Sequence, residues 1–339
     1  MARVFYDEDV DSTALKDETI AVIGYGIQGR AQALNLRDSG ARVVVGNRQD
    51  AYRDQAEADA FDVLDIPDAV ERGTIILFLL PDEVQPHVFT ADMQQRLVPG
   101  HALILAHGFS VRYGLVSPPH GVDLMLLAPR LPGQYVRGRF VEGWGVPAFV
   151  AVERDTTGRA WRRLLGVARG IGATRAAAIE SSFAEETELD HFAEHFLYPL
   201  VFAALETAFE SLVDSGYAPE VALMELYGSG ELGQVLVAAA HEGLYDMIRS
   251  HASPACQVGI AHHWDSALGE RSAVRARIHN VIAAIRDGSF ARHLVDEQRR
   301  GYSELTSWQR QRPASLIAAE RSLRRLLRKP PGKAPVRQP

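Results

Sequence analysis

The sequence predicts a doubly wound α/β Rossmann domain with a parallel sheet, followed by an all-helical domain. Three observations carry that expectation. Short aliphatic runs alternate with helix-spaced segments through residues 1–181. A G-x-G-x-x-G turn, Gly24-Tyr25-Gly26-Ile27-Gln28-Gly29, stands between the first such run and the first helix. Near Ser181 the apolar residues change to three- and four-residue spacing, the period of a helix.

In chain order, Thr19–Gly24 reads as a buried strand and Ile27–Ser39 as a helix that stops at Gly40. Arg42–Gly46 is a second strand. Thr74–Leu80 is a third, ended by Pro81. Ala102–Ala106, Asp123–Ala128 and Ala148–Val152 complete the series. The helical domain is expected over 182–328. Its segments Phe196–Leu212 and Leu232–Ala240 are too apolar for a one-sided surface helix, which predicts burial. The tail 329–339, KPPGKAPVRQP, is expected to be disordered.

Composition narrows the function. The 339 residues are 47% hydrophobic and 23% charged, which suits two globular domains. A net charge of −7 gives no basic footprint for nucleic acid. No apolar run reaches the roughly 18 residues of a membrane span, and the acidic N-terminal stretch is unlike a signal peptide. One cysteine, Cys256, excludes an intrachain disulfide and a multi-cysteine zinc site. A cytoplasmic protein is expected. Only Lys16, Lys329 and Lys333 are lysines. A Schiff-base, P-loop or acid–base lysine is therefore excluded between residues 17 and 328.

The glycine turn predicts a dinucleotide, because glycines let the backbone approach a pyrophosphate at a helix N-terminus. The end of the second strand, Gly46-Asn47-Arg48-Gln49-Asp50-Ala51-Tyr52-Arg53, bears on NADH against NADPH. Asp50 favours a ribose hydroxyl, whereas Arg48 and Arg53 favour a 2′-phosphate.

The chain resembles the ketol-acid reductoisomerases. The resemblance spans about residues 4–327 and rests on GYGIQGRAQALNLRDSG (24–40), LLPDE (79–83), AHGF (106–109), APRLPG (128–133), EETELDHFAE (185–194) and SGYAPE (215–220). It implies a Rossmann domain, a knotted helical domain, NADPH and two Mg²⁺ ions. It further implies alkyl migration followed by reduction of a 2-keto acid. Paired helical domains imply a homodimer or higher homo-oligomer acting on a small molecule. Cofactor contacts are expected from residues 24–29, Arg48, Asp50, Arg53, Leu80, Pro81, His107 and Gly133. Asp50 and the absence of the family's serines lean the choice towards NADH.

Asp190 and Glu194 match the family's first pair of metal carboxylates and are four apart on an expected helix. His107 matches the histidine beside nicotinamide and substrate. Three departures stand out. The family's A-P-K-G-P-G reads Ala128-Pro129-Arg130-Leu131-Pro132-Gly133, and Arg130 cannot exchange a proton near neutral pH. The family's Glu-x-x-x-Glu is replaced by Glu225 and Glu231 with two intervening glycines. These glutamates are about 240° apart around a helix, so one of them is expected to leave the metal site. His191 and His195 either bind a softer metal such as Zn²⁺ or lie on a surface or interface.

Ser253 is a candidate substrate contact, and Trp144 either reshapes the pocket or covers apolar surface. The catalytic set is thus His107, Arg130, Asp190 and Glu194. The sequence reads as an NAD(P)H-dependent reductase that keeps hydride transfer, loses the Mg²⁺-dependent migration and acts on an imine, keto acid or activated alkene. The alternatives are the ordinary isomeroreductase and a non-catalytic cofactor-binding protein.

Overall fold

The computed structural model describes residues 2–327, so the tail 329–339 lies outside the described residues. The chain forms two compact units that meet between Asp190 and His191. The first is built on nine strands: β1 Val4–Phe5, β2 Thr19–Ile23, β3 Arg42–Gly46, β4 Asp62–Leu64, β5 Ile75–Phe78, β6 Ala102–Leu105, β7 Asp123–Pro129, β8 Ala148–Arg154 and β9 Ala178–Glu180. Their order across the sheet is β1-β9-β8-β7-β6-β5-β2-β3-β4. The expected strands are all present.

The sheet is not wholly parallel, which corrects the sequence reading. β8 runs antiparallel to β7, and β1 runs antiparallel to β9. A helix-length crossover separates parallel neighbours; here α4, Gly133–Val141, is followed by a turn that reverses the chain into β8. β1, β4 and β9, with two or three residues each, are too short for alternation to reveal.

Central strands β2, β5 and β6 have no exposed residue, as expected where helices cover both faces of a sheet. One layer of core combines Ile20, Val22, Leu77 and Ile104 with α1, Ile27–Asp38, and α5, Ala160–Gly170. The other combines Ala21, Ile23, Ile76 and Leu105 with α3, Ile66–Arg72. Both layers pull the carboxyl ends of β2 and β3 into register, with Ile23 opposite Gly46. That edge carries the glycine turn and α2, Ala51–Ala58.

A buried ion group holds the opposite edge. Arg163 on α5, 3% exposed, reaches Glu18 Oε1 at 2.7 Å and Asp123 Oδ2 at 3.5 Å. It also donates to the Gly100 carbonyl at 2.8 Å. Thr74 donates its hydroxyl to Glu18 Oε2 at 2.5 Å. Burial raises the Glu18 pKa, but the hydrogen bonds from Arg163 and Thr74 outweigh it, leaving the carboxyl below its usual range.

The second unit is helical and has a small core of its own: Phe209, Ala222, Leu223, Leu316, Ala319 and Leu323. The burial expected for Phe196–Leu212 is confined to Phe196 and Phe209, and Leu232–Ala240 has no buried residue within one chain. Phe202 is 63% and Leu236 57% exposed, because so small a core takes in one side of the first segment and none of the second. Phe183–Asp214 is long and apolar enough, by length and composition, to cross a membrane. The shorter segments read from sequence concealed this.

The buried ion group gives a stability test. Arg163→Met should leave Glu18 and Asp123 as uncompensated buried acids and cost about 3–5 kcal/mol, read from chemical denaturation. A loss below about 1 kcal/mol would show that water compensates the two acids.

Candidate active site

The glycine turn leaves β2 through Gly24, whose φ of +94° only glycine adopts without strain. A Cβ on Gly29 would stand 1.9 Å from the Gly24 carbonyl oxygen, so α1 begins pressed against the turn. Nothing lies within 4 Å of where a Cβ on Gly26 would stand. The space ahead of the α1 amides is therefore open, and the turn fits a pyrophosphate there.

Around the turn the expected contacts divide. Ile27 is 58% exposed beside it. Gln28 donates to the Leu131 carbonyl at 3.0 Å, and a Cβ on Gly133 would meet the Ile27 carbonyl at 2.0 Å. Gly133 thus packs on the turn. Leu80 lies over Gly24, and Pro81 is exposed next to it. Tyr25 requires a correction. Its side chain is 1% exposed, and its hydroxyl donates to Asp59 at 2.9 Å. Its amide donates to Asn47 Oδ1 at 3.1 Å, which leaves its carbonyl for a cofactor.

The second-strand end is tied up in its own contacts. Asp50 caps α2 by accepting from Tyr52 N at 2.9 Å and Arg53 N at 3.2 Å. Its other oxygen holds Arg48 at 2.8 Å. Arg53 is held by Asp65 at 2.8 Å and Glu57 at 3.3 Å. Arg48, 80% exposed, is the cation there with most freedom.

Next along the same sheet edge lies a group of charges. His107 follows β6, Arg130 follows β7, and Glu186 and Asp190 stand one turn apart on α6, Phe183–Phe192. Arg130 donates to Glu186 Oε1 at 3.0 Å and to Asp190 Oδ1 through its other nitrogen. Glu186 is 1% exposed, and its Oε2 accepts from Gly108 N at 2.8 Å. A Cβ on Gly108 would meet Thr187 Oγ1 at 2.4 Å, which explains how close the backbone approaches α6. His107 Nδ1 meets Asp82 Oδ2 at 2.6 Å, and its Nε2 faces Asp190 Oδ2 at 3.6 Å.

Burial pulls His107 towards neutrality, but Asp82, Glu186 and Asp190 outweigh it and lift its pKa to about 9. Burial raises the Glu186 carboxyl, and the neighbouring cations only partly restrain it. Glu186 and Asp82 were not singled out from the sequence, although both lie in quoted motifs. The available signals were the four-residue spacing to Asp190 and the position of Asp82 just past a strand's carboxyl end.

The remaining candidates lie in the second unit. Glu194 is exposed in a π-helical turn, Ala193–Leu197. Glu225 and Glu231 are both exposed, and Gly230, with φ +83°, breaks the helix between them. Ser253 uses its hydroxyl to cap the helix Pro254–His263 by accepting from Cys256 N at 3.3 Å. His191 and His195 stack at 4.9 Å and pack against the Phe290 ring. Among the described residues the group of potential metal donors is His107, Glu186 and Asp190, with ligand atoms within 4.8 Å of one another. In the first unit Trp144 is 67% exposed.

Comparison with known proteins finds two family models. One, described as acetohydroxy acid isomeroreductase, NADPH-binding domain, matches residues 14–177. The other, described as ketol-acid reductoisomerase, C-terminal domain, matches residues 183–329. A ketol-acid reductoisomerase (NADP(+)) of Caldivirga maquilingensis is 40% identical over 310 residues, covering 90% of this chain and 92% of that protein. One from Methanocaldococcus jannaschii is 40% identical over 319 residues, covering 94% and 95%. The structure of an NADH-preferring ketol-acid reductoisomerase from an uncultured archean superposes with a TM-score of 0.90 at 32% identity. It covers 96% of this chain and 100% of its own.

The His107–Asp82 pair sets a pH test. A raised histidine pKa adds stability that is complete below the ordinary 6.5 and lost as pH rises through about 9. Asp82→Asn should lower the His107 pKa from about 9, read by NMR titration of the ring. A ring that still titrates near 9 in that variant would assign the shift to Glu186 and Asp190 instead.

Proposed function

Because the chain belongs to the ketol-acid reductoisomerase family, we propose that it carries out that family's reaction: alkyl migration in a 2-acetohydroxy acid, then NAD(P)H reduction of the resulting 2-oxo acid. The chain is an NAD(P)H-dependent oxidoreductase with a Rossmann-like domain and a helical domain. The observation that carries the finer reading is the co-location of His107, Glu186 and Asp190 on the sheet edge that also holds the glycine turn.

The hard carboxylate oxygens of that group suit Mg²⁺ in their chemistry, although those of Glu186 already accept from Arg130 and the Gly108 amide. Asp190 would hold the ion through Oδ2, which is not bonded to Arg130; Glu194, Glu225 and Glu231 are the further carboxylates that the family pattern offers. Bound there, Mg²⁺ would polarise substrate oxygens as a Lewis acid. The chain's own side chains do the rest. A cofactor held at the glycine turn would supply hydride for a substrate carbonyl, whose oxygen then needs a proton from the protein. His107 holds a proton on the imidazole, with Asp82 fixing the ring. Arg130 offers fixed positive charge to a substrate carboxylate or a developing oxyanion.

For the cofactor we favour NADH. Arg53 is engaged by Asp65 and Glu57, and Arg48 by Asp50, so a 2′-phosphate must displace an existing partner. Residues 46–53 also contain no serine or threonine to receive it. We further propose a homodimer, supported by the exposed Phe202, Leu236 and Val237 of the helical unit. A cytoplasmic location suits the single exposed thiol of Cys256.

A second reading, reduction without migration, is favoured by one observation: Arg130 already bridges Glu186 and Asp190. One assay separates the two. With 2-acetolactate, NADH and Mg²⁺, the isomeroreductase oxidises cofactor, and chelation abolishes the turnover. No turnover of 2-acetolactate, with chelator-resistant reduction of the rearranged 2-oxo acid supplied directly, would replace the first reading by the second. The rate separating them is expected to exceed about a thousandfold, since each 1.36 kcal/mol lost from a metal-stabilised transition state is tenfold.

A further inference from the structure

At the amino ends of β2 and β3, across the sheet from the glycine turn, lies a cavity of about 580 Å³, within the range of small-molecule sites. Lys16, Arg42, Arg169 and Arg175 line it, together with Asp7 and Asp11. None of the four cations has a carboxylate partner among the described residues. Arg42 reaches only the Glu18 and Lys16 carbonyls, at 3.3 and 3.5 Å. Arg169 reaches the Val10 carbonyl at 3.5 Å. Arg175 reaches the Phe140 and Trp144 carbonyls, at 3.3 and 3.5 Å. Arg175 also lies over the Phe140 ring, 4.4 Å from its centre, while the long contacts of Arg42 and Arg169 leave their guanidinium groups free to turn.

The acids do not balance them. Asp11 is taken by Arg162 at 2.8 Å, and Asp7 accepts from the Thr174 hydroxyl. The carboxyl ends of α1 and α5 also meet here, each worth about half a negative charge. Those dipoles explain Arg169, in the last turn of α5. They do not explain Lys16 and Arg42, which come from a loop and from the start of a strand. With Asp11 offset by Arg162, Asp7 and the two helix ends set against the four lining cations leave the lining a surplus of about two positive charges, in a chain whose net charge is −7.

We propose that this cavity binds a small polyanion bearing phosphate groups. A single carboxylate brings one charge and would leave repulsion among the four cations. A diphosphate brings two or more charges and enough oxygens for several guanidinium forks and one ammonium. The site is separate from the cofactor turn, because the two lie at opposite ends of the same strands. It therefore offers a place where a phosphorylated effector is sensed away from the reacting atoms.

The test titrates the full chain with inorganic pyrophosphate by calorimetry, at fixed ionic strength and with NAD(P)H saturating so that the cofactor turn is filled. One pyrophosphate should bind, at least about tenfold more tightly than inorganic phosphate, one extra strong charge pair being worth about that factor. The double variant K16Q/R42Q should weaken pyrophosphate about a hundredfold while leaving NAD(P)H affinity unchanged. In the wild-type protein, amide NMR shifts on pyrophosphate addition should centre on Gly40, Ala41 and Gly166, which needs no variant to fold. No binding with cofactor present, equal affinity in the double variant, or shifts centred on residues 24–29 would each overturn the proposal.

Discussion

A carboxylate buried as fully as that of Glu186 must be matched in charge where it lies, since an unpaired buried ion costs several kcal/mol. The first unit meets that demand from two separate pieces of chain. Arg130 arrives from the end of β7, the Gly108 amide from the end of β6, and protonated His107 from beside it. Satisfying one carboxylate therefore fixes two strand-end segments against α6. The same contacts bring Asp82 and Asp190 into range of the imidazole. The candidate site is in this sense a by-product of solving one desolvation problem. Its geometry is set by well-packed strands and not by long loops, which is what precise positioning of a proton and a hydride requires.

The cofactor end and the charge group depend on each other through a second close contact. Gly133 sits so near the Ile27 carbonyl that no side chain fits between them, and Gln28 holds the Leu131 carbonyl. The segment that carries Arg130 therefore rests on the glycine turn. A cofactor seated on the α1 amides would lie beside the residue that bridges Glu186 and Asp190. Binding and chemistry share one rigid junction at the carboxyl edge of the sheet, the position at which open α/β sheets take their ligands.

Much of this was legible in the sequence because it depends on local rules. Strand β2, the turn at 24–29 and α1 follow from a buried aliphatic run, glycines that must approach backbone, and helical spacing. Long-range terms were not legible. The antiparallel β8 depends on where the chain reverses after Val141, which no period of apolar residues encodes. Tyr25 reads as a cofactor contact by its place in the motif, yet Asp59 and Phe61, more than thirty residues on, draw it into the core. Glu186 reads as one acid in an acidic run until β6 and β7 close over it. The helical unit misled in the other direction: its apolar runs signal burial, but a single chain supplies too little core to bury them.

The distinction between the two functional readings comes down to the shape of one cation. A lysine ammonium is a compact point charge that settles against one carboxylate and can be drawn away by a competing ion. A guanidinium is a planar fork, and in Arg130 its two arms reach carboxylates one helical turn apart, with its face 5.1 Å from the Phe149 ring centre. Removing it from either acid breaks a charge-assisted hydrogen bond and leaves the other arm in place. An incoming divalent ion must therefore compete with a tethered partner that never loses its charge. Two outcomes are compatible with that physics. Either the ion wins Asp190 while Arg130 stays on Glu186, giving a metal site with a fixed cation beside it, or Arg130 holds both acids and supplies the positive charge itself. Glu186 favours a retained Arg130 in each case, because its other oxygen is already committed to the Gly108 amide and burial forbids it to stand alone.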